Sequence, residues 1–178
     1  MLRAQGGDRD SFDVIVRSSR TAIFHHLYRM VRNQEIAEDL TQETFLRAYR
    51  GRDLYKPVAR FETWLYRIAT NVALNHLRTQ KSYKHNITRH FVADVACHWE
   101  APDPRPNAEN VLTREERLQR IRAAVACLPD RQRSAVLLHK YHDMDYYGIA
   151  NTLGCSLQAV KSLLFRAYER LRSELTCV

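Results

Sequence analysis

Acidic residues are missing from a long stretch in the middle of this chain. No Asp or Glu stands between Glu62 and Asp94, while five Lys and Arg residues lie there. Carboxylates repel a polyanion and cations neutralise its phosphates, so this imbalance favours contact with nucleic acid. A solvated basic helix face would have the same composition, and the stretch alone leaves both interpretations open.

Signals of several other protein classes are also absent. The four cysteines form no CxxC pair, which argues against a zinc ribbon or a small disulfide framework. No run of about 18 apolar residues and no signal-peptide apolar region is present, so we expect a cytoplasmic protein without membrane insertion. No glycine-rich phosphate loop and no nucleophile and base at useful spacing occur, which argues against an enzyme.

One tract has the ligand types of a metal site: His139, His142, Asp143 and Asp145. Histidines three residues apart on a helix can share a metal, but surface histidines without one are more common. Cys97, beside His98, could bind a metal or sense an oxidant, whereas a reduced thiol without either role is the simpler interpretation. We expect no metal and no cofactor.

Proline is scarce and unevenly placed, since three of the five prolines lie at Pro102, Pro104 and Pro106. Prolines at alternate positions cannot sustain a helix, and the helical period is lost from about 82 to 110. We expect irregular structure around Phe91 to Trp99. Such a segment is typical of a semi-extended linker.

The fold class follows from these patterns. Strand signals are nearly absent, and the sequence predicts an all-α protein of two small helical domains joined by a flexible linker. The N-terminal domain covers residues 1–81, the linker 82–112 and the C-terminal domain 113–178. The net charge of +8 is carried by the two domains, because residues 81–112 contain four basic and four acidic residues. Nucleic acid is the partner that such a charge favours.

Three helices are predicted in the N-terminal domain, near Ser11–Arg32, Glu35–Arg50 and Phe61–Gln80. In the third, apolar residues recur at helical spacing: Phe61, Trp64, Leu65, Ile68, Val72 and Leu77. Its other side carries Arg67, Thr70, Asn71, Asn75 and Arg78. Because Trp64 belongs to the apolar set, we interpret it as a core residue rather than a strand-separating wedge.

The second of these helices carries an acidic stripe. Glu35, Asp39 and Glu43 follow at steps of four, which places them along one side of a helix. In a basic protein such a stripe pairs internally or serves a basic protein partner. The alternative is a favourable interaction of acidic side chains with the helix dipole near the N-terminus. This interaction explains Glu35 but not Glu43, which lies two turns further along.

The C-terminal domain contains the pattern of a helix-turn-helix. A short helix over Tyr146–Leu153 is followed by Gly154 as a left-handed end, Ser156 as an N-cap and a second helix from Leu157. Small Ala150 and apolar Val160 suit the crossing of the two helices. The outward residues of the second helix are Gln158, Lys161, Ser162, Phe165 and Arg166. They suit a recognition helix in the DNA major groove, whereas a plain helical hairpin would leave them merely solvated.

Three segments carry a family resemblance. Ala37–Tyr49 resembles the core-polymerase-binding helix of bacterial RNA polymerase sigma factors of the extracytoplasmic-function (ECF) group, and Phe61–Asn71 resembles the start of that family's promoter-melting helix. Leu128–Arg133, followed by the helix-turn-helix, is similar to the family's fourth conserved region. The resemblance implies a sigma factor that binds core RNA polymerase and promoter DNA and is controlled by an anti-sigma factor. The alternative is a stand-alone helix-turn-helix transcriptional regulator, which needs neither the acidic stripe nor the melting helix.

The resemblance also implies roles for individual residues. Contacts with core polymerase are implied for Glu35, Asp39, Gln42 and Glu43. Binding of the minus-ten element is implied for Tyr55, Lys56, Arg67, Asn71, Asn75 and Arg78, with Asn71 lining a pocket for a flipped base. Binding of the minus-thirty-five element is implied for Gln158, Lys161, Ser162, Phe165 and Arg166.

The first helix of the helix-turn-helix departs from the family pattern. Asp145–Ala150 replaces a Ser/Thr-Tyr-Glu-Glu-like sequence, so we expect a weakened acidic cap. Gly148 costs up to about 1 kcal/mol of helix propensity relative to alanine, which predicts a softer scaffold here.

Overall fold

A computed structural model describes residues 1, 5–6, 8–57, 60–88 and 114–176, with the backbone alone for 84–88 and 114–116. These residues form seven α-helices, one short 3-10 helix and no strand, which confirms the predicted all-α fold. Most of the predicted linker, including the segment from Phe91 to Trp99, lies outside the described residues.

The helices follow one another along the chain as α1 (Arg9–Val31), α2 (Gln34–Arg50), α3 (Phe61–Thr88), α4 (Arg114–Ala126), α5 (Asp130–Tyr141), α6 (Tyr146–Leu153) and α7 (Leu157–Thr176). The 3-10 helix, Arg52–Leu54, lies between α2 and α3. The end predicted for α3 at Gln80 was too early, since the helix continues to Thr88. No glycine or proline stands between these two positions to interrupt it.

Polar side chains set the first helix boundaries. Asp8 accepts a hydrogen bond from the Ser11 backbone N–H at 3.1 Å and so caps α1. That helix ends at Arg32, whose φ of 56° is left-handed, and Asn33 then caps α2 by accepting from the Ile36 N–H at 2.9 Å. The two helices therefore reverse direction within two residues.

The first lobe, α1 to α3, is built around an apolar core from all three helices. Its buried members include Ile23, Leu27, Met30, Ala37, Phe45, Ala48, Leu65, Ala69, Ala73 and Leu77. Four small alanines on α2 and α3 are almost completely buried, and their size lets the helix backbones approach closely.

The second lobe, α4 to α7, has its own apolar core, which includes Leu128, Leu138, Met144, Ile149, Leu153, Val160 and Leu164. Arg131 donates to the Leu153 carbonyl at 2.8 Å and thus ties α5 to the end of α6. Buried Arg133 pairs with Asp130 at 2.7 Å, so its charge is compensated within α5.

The two lobes pack against each other. Val125, Leu137 and Leu171 of the second lobe join the apolar core of the first. α3 also lies against α6, the first helix of the helix-turn-helix. At the edge of this contact Lys81 donates to Asp130 at 2.6 Å. We call this packing of the two lobes against each other the closed arrangement.

Candidate nucleic-acid and polymerase interfaces

The polar residues predicted to bind the minus-ten element follow the outer side of α3. Asn71, Asn75 and Arg78 are exposed, and Arg67 is half-buried at the start of the row. Their spacing of three and four residues aligns them along one helix face. Amide and guanidinium groups therefore lie side by side in a strip on this face of α3, and α3 has no Asp or Glu from Thr63 to its end at Thr88.

Thr70 was wrongly assigned to this free side of α3. Its side chain is fully buried, and its hydroxyl lies 3.0 Å from His26 Nε2. α1 packs over this part of α3, and a step of one residue on a helix turns the side chain by about 100°. The exposed strip thus begins at Asn71 and is narrower than predicted.

The loop before α3 places Tyr55 and Lys56 in different surroundings. Lys56 is exposed, whereas Tyr55 is only 8% exposed. The Tyr55 ring lies edge-on to Trp64, with centroids 5.3 Å apart, and to Phe61 at 5.9 Å. This burial differs from the expected open contact residue and suits Tyr55 to shaping the loop.

Sequence reasoning missed one residue that holds the same loop. The Gln5 amide nitrogen donates to the carbonyls of Arg52, at 2.8 Å, and Tyr55, at 2.6 Å. A glutamine 50 positions from its acceptor has no local sequence signal, because the contact exists only in the folded chain.

Trp64 packs against the apolar core, as predicted. It also lines a cavity of about 260 Å³ together with Lys56 and Arg67. Asn151 and Thr152 of α6 form the opposite wall. In the closed arrangement the second lobe therefore lies over part of the predicted minus-ten surface.

The acidic stripe lies on α2. Glu35, Asp39 and the neighbouring Gln42 are exposed. Glu43 accepts from Arg47 Nε at 2.6 Å, one turn further along the same helix. Internal pairing thus accounts for Glu43 alone, and two acidic groups remain directed to solvent.

An apolar groove runs beside this stripe and was not predicted. It has a volume of about 470 Å³ and is lined by Phe12, Val16, Arg20, Thr41, Gln42, Phe45, Leu46 and Tyr49. Leu46 is 49% exposed. An exposed leucine one turn from Gln42 was the available sequence signal.

The predicted recognition helix is α7. Gln158, Lys161, Ser162, Phe165 and Arg166 are all exposed on it, and the Phe165 ring is 67% exposed. The predicted turn is confirmed, because Gly154 has a left-handed φ of 59°. Ser156 accepts from the Ala159 N–H at 3.2 Å and caps the helix.

The expectation of a weakened cap at α6 was wrong. Asp145 Oδ1 accepts from the Gly148 N–H at 2.8 Å. A Cβ at Gly148 would lie 2.7 Å from Met144 Cγ and 3.0 Å from Asp145 Oδ1. The glycine therefore makes room for both the cap and the buried methionine.

The histidine tract has two different roles in the fold. His139 Nδ1 lies 2.9 Å from the Tyr168 hydroxyl, while His142 Nε2 lies 3.0 Å from His26 Nδ1. The interpretation as surface histidines was wrong for both residues, since His139 and His142 are each partly buried. In the described part of the chain no three His, Cys, Asp or Glu side chains are placed to hold one metal ion.

Burial governs the protonation of this histidine pair. It lowers the pKa of His26 to about 3, with further lowering from His142 and Arg29. It lowers the pKa of His142 to about 4, and Arg29 adds to that effect while Asp143 opposes it. Both imidazoles are neutral at pH 7.

These features define a two-lobed, all-helical protein with a helix-turn-helix in its second lobe. Among the described residues, no helix is both long and apolar enough to cross a bilayer. Residues 15–83 match the family described as Sigma-70 region 2, and residues 118–171 match Sigma-70, region 4.

Curated relatives match along nearly the whole chain. RNA polymerase sigma-H factor of Pseudomonas aeruginosa is 31% identical over 180 residues, covering 95% of this chain and 88% of the relative. ECF RNA polymerase sigma factor SigW of Bacillus subtilis is 30% identical over 170 residues, covering 95% and 91%. The chain belongs to the sigma-70 family of RNA polymerase sigma factors, in the ECF group. It is thus an alternative sigma factor that directs promoter-specific transcription initiation.

Solved structures share the fold. The sigma factor RpoE from Bartonella quintana, in complex with the anti-sigma factor NepR, superposes with a TM-score of 0.69 at 23% identity, covering 94% of this chain and 98% of that one. CnrH, in complex with the cytosolic domain of CnrY, gives a TM-score of 0.66 at 20% identity, covering 98% and 94%.

Proposed function

We propose that this sigma factor reads the two promoter elements with its two lobes and holds core polymerase with a third surface. The observation that supports this division is the separation of charges. The cationic and amide groups lie on α3 and α7, whereas the exposed acidic groups Glu35 and Asp39 lie on α2. A carboxylate surface suits a basic protein and repels DNA.

The minus-ten element binds along α3 in this proposal. Asn71 reads a flipped base, because a side-chain amide both donates to and accepts from a base edge. Arg67, Asn75 and Arg78 hold the strand beside it. From the loop Lys56 reaches the phosphates, and buried Tyr55 shapes the pocket wall. Melting then uses capture of the single strand rather than ATP.

The minus-thirty-five element binds α7. Lys161 and Arg166 neutralise phosphates or reach base edges, and Gln158 and Ser162 offer hydrogen-bonding groups near the helix start. The exposed Phe165 ring supplies an apolar contact of the kind that a thymine methyl accepts.

Core polymerase binds the acidic stripe. Glu35, Asp39 and Gln42 face a basic coiled-coil segment of the largest polymerase subunit, with Glu43 at the end of the row. The apolar groove at Leu46 continues this surface and adds burial to the electrostatic contact.

The domain boundaries remain part of this proposal. Residues 1–81 and 113–178 form the two functional domains, and residues 82–112 connect them. Since α3 runs to Thr88, the first part of the connector is helical. The connector lets the lobes separate far enough to reach two DNA elements.

The protein has no catalytic role of its own in this scheme and requires no cofactor. It acts in the cytoplasm, where core polymerase and promoter DNA are found. An anti-sigma factor controls it by covering the polymerase-facing and DNA-facing surfaces. The structural relative RpoE, in complex with the anti-sigma factor NepR, supports this partner by analogy.

Transcription of fragmented genomic DNA by core polymerase, with and without this protein, tests the proposal. RNA starts that appear only with the protein, behind a shared two-block motif at constant spacing, are expected. Loss of these starts in a Lys161→Ala/Arg166→Ala variant would link the upstream block to α7. If a folded protein produced no new starts, the proposal would be refuted.

A further inference from the structure

Two histidines from different lobes meet at the centre of the closed arrangement. His26 lies on α1 and His142 directly follows α5, 116 positions away. The nitrogens Nδ1 of His26 and Nε2 of His142 are 3.0 Å apart. Tyr66 of α3 stacks on the His142 ring, with centroids 3.7 Å apart. Three elements thus converge on one imidazole.

Neutral imidazoles satisfy this geometry. Each neutral ring has one N–H donor and one acceptor nitrogen. In one arrangement His26 accepts a hydrogen bond from His142 and donates from Nε2 to the Thr70 hydroxyl oxygen, 3.0 Å away. In the other, His26 donates to His142 and accepts from the Thr70 hydroxyl. Protonation of both rings would direct two N–H groups at each other. A single added proton would place a charge at the fully buried His26 or the partly buried His142.

The charged surroundings add to this cost. Arg29 lies on the same side of α1, with its guanidinium 4.4 Å from the centroid of the Tyr141 ring, and it lowers the pKa of both histidines. Asp143 acts in the opposite direction on His142. From α3, burial and Glu62 raise the pKa of Tyr66, which remains a neutral phenol at pH 7. The net surroundings disfavour a cation.

The same contact covers a functional surface. In the closed arrangement Asn151 and Thr152 of α6 face Lys56 and Arg67 across a shared cavity. Under the proposed function, on which this step rests, Lys56 and Arg67 belong to the minus-ten surface. A DNA strand must therefore displace α6 before it can occupy the whole surface.

We propose that His26 and His142 form a proton-sensitive latch between the lobes. Neutral rings hold the closed arrangement, and protonation or loss of the His142 ring separates the lobes and uncovers Lys56 and Arg67. The device is intramolecular and acts on the free protein before any partner binds.

The sign of the pH dependence follows from lowered pKa values in the closed state. Well above pH 6.5 the latch is at full strength, because neither state takes up protons there. As the pH falls from 6.5 toward 4, the open state takes up protons that the closed state resists. For His142 alone, the ratio of closed to open protein falls about tenfold between pH 7.5 and pH 5.5.

Small-angle X-ray scattering of the full chain tests the latch without polymerase or DNA. We expect a larger radius of gyration at pH 5.5 than at pH 7.5, with unchanged helical circular dichroism. His142→Ala is expected to be open already at pH 7.5. His142→Phe, which keeps a ring on Tyr66 but leaves His26 as the single titrating group of the pair, is expected to open less than wild type at pH 5.5. His25→Ala, at an exposed histidine beside His26, is the matched control and should behave as wild type.

The outcomes separate the latch from the proposed function. An unchanged wild-type radius at pH 5.5, or opening of His142→Phe equal to that of wild type, would overturn the latch. At pH 7.5, His142→Ala should bind a random-sequence single-stranded oligonucleotide several-fold more tightly than wild type. If the variant opens without tighter binding, the latch stands and the assignment of Lys56 and Arg67 to a DNA surface fails.

Discussion

At the scale of single residues, neighbours in the chain have opposite surroundings. Thr70 is buried against His26 while Asn71 is exposed, although one peptide bond separates them. Gly148 and Gly154 also differ in purpose, since the first avoids a collision with Met144 and the second adopts a left-handed backbone. The surroundings of a side chain, and with them its role, therefore change from one residue to the next.

Replacing Asn71 by alanine should impair promoter melting. The variant loses an amide able to read a flipped base, and we expect open-complex formation to fall by about tenfold or more, consistent with about 1–3 kcal/mol for a bidentate base contact. Permanganate reactivity of promoter thymines measures melting, and core-polymerase affinity should not change. Thr79→Ala, at an exposed position on the same helix, is the control. Equal loss of melting and core binding would indicate misfolding instead.

Replacing Gly154 by alanine should destabilise the second lobe. The left-handed backbone costs about 1–2 kcal/mol for a residue with a Cβ, even though no atom lies within 4 Å to obstruct it. Gly154→Asn should lose less, because asparagine tolerates this conformation better. Urea denaturation of both variants checks the order, and equal losses would contradict a backbone origin.

At the scale of secondary-structure elements, each proposed binding surface lies mainly on one helix. α3 carries the amide and guanidinium strip, α2 the acidic stripe and α7 the recognition residues. The opposite side of each helix packs into an apolar core, so an amphipathic pattern serves both stability and binding. Substitutions on the outer sides should change binding with little loss of stability.

Removing two cations from α7 should change the salt dependence of DNA binding. For Lys161→Ala with Arg166→Ala, we expect weaker binding of the upstream element. If both residues contact phosphates, the slope of log affinity against log salt should become shallower by about 2. Lys140→Ala, an exposed cation outside α7, should leave the slope unchanged. An unaltered slope in the double variant would exclude these residues from phosphate contact.

Reversing the charge of the acidic stripe should weaken the complex with core polymerase. Asp39→Lys with Glu43→Lys places cations opposite a basic surface, and we expect at least a tenfold loss of affinity at low salt. Glu174→Lys, at an exposed acid near the end of α7, is the control for a charge reversal away from the stripe, and its affinity should stay close to that of wild type. Retained affinity, measured by fluorescence anisotropy, would refute the assignment of this surface.

At the scale of the whole molecule, apolar contacts and the histidine pair join the lobes. Within the residues that the structure describes, one ion pair, Lys81 with Asp130, links the lobes at the edge of their contact. Leu137 of α5 is 1% exposed and belongs to the apolar core of the first lobe. Lys81, which pairs with Asp130, keeps 68% of its side chain exposed. Burial should therefore dominate the energetics of the closed arrangement.

Leu137→Ala and Lys81→Ala should separate these contributions. The leucine variant is expected to lose about 2–5 kcal/mol of stability, as buried leucines do when a cavity is left. The lysine variant should lose less than about 1 kcal/mol, because Lys81 is 68% exposed and Asp130 keeps its ion pair with Arg133. Urea denaturation of both variants measures the loss in the free energy of unfolding. A larger loss for Lys81→Ala than for Leu137→Ala would contradict the dominance of apolar burial at the interface.

Sequence periodicity determined the all-helical fold, the helix-turn-helix and the apolar side of each helix. These properties depend on local spacing and capping, which residues such as Gly154 and Ser156 carry wherever the chain folds. The resemblance to sigma factors likewise rested on contiguous segments. Local patterns were thus sufficient for fold class and family.

Only the tertiary structure decided how distant residues meet. The burial of Thr70 and Tyr55, the hold of Gln5 on the loop and the meeting of His26 with His142 depend on packing between helices. A sequence pattern specifies which side of a helix is apolar. It does not specify which other helix or loop packs over a polar residue at the border of that side. In this protein, the packing of α1 and α3 against His142 makes that histidine a contact between the lobes instead of a surface group.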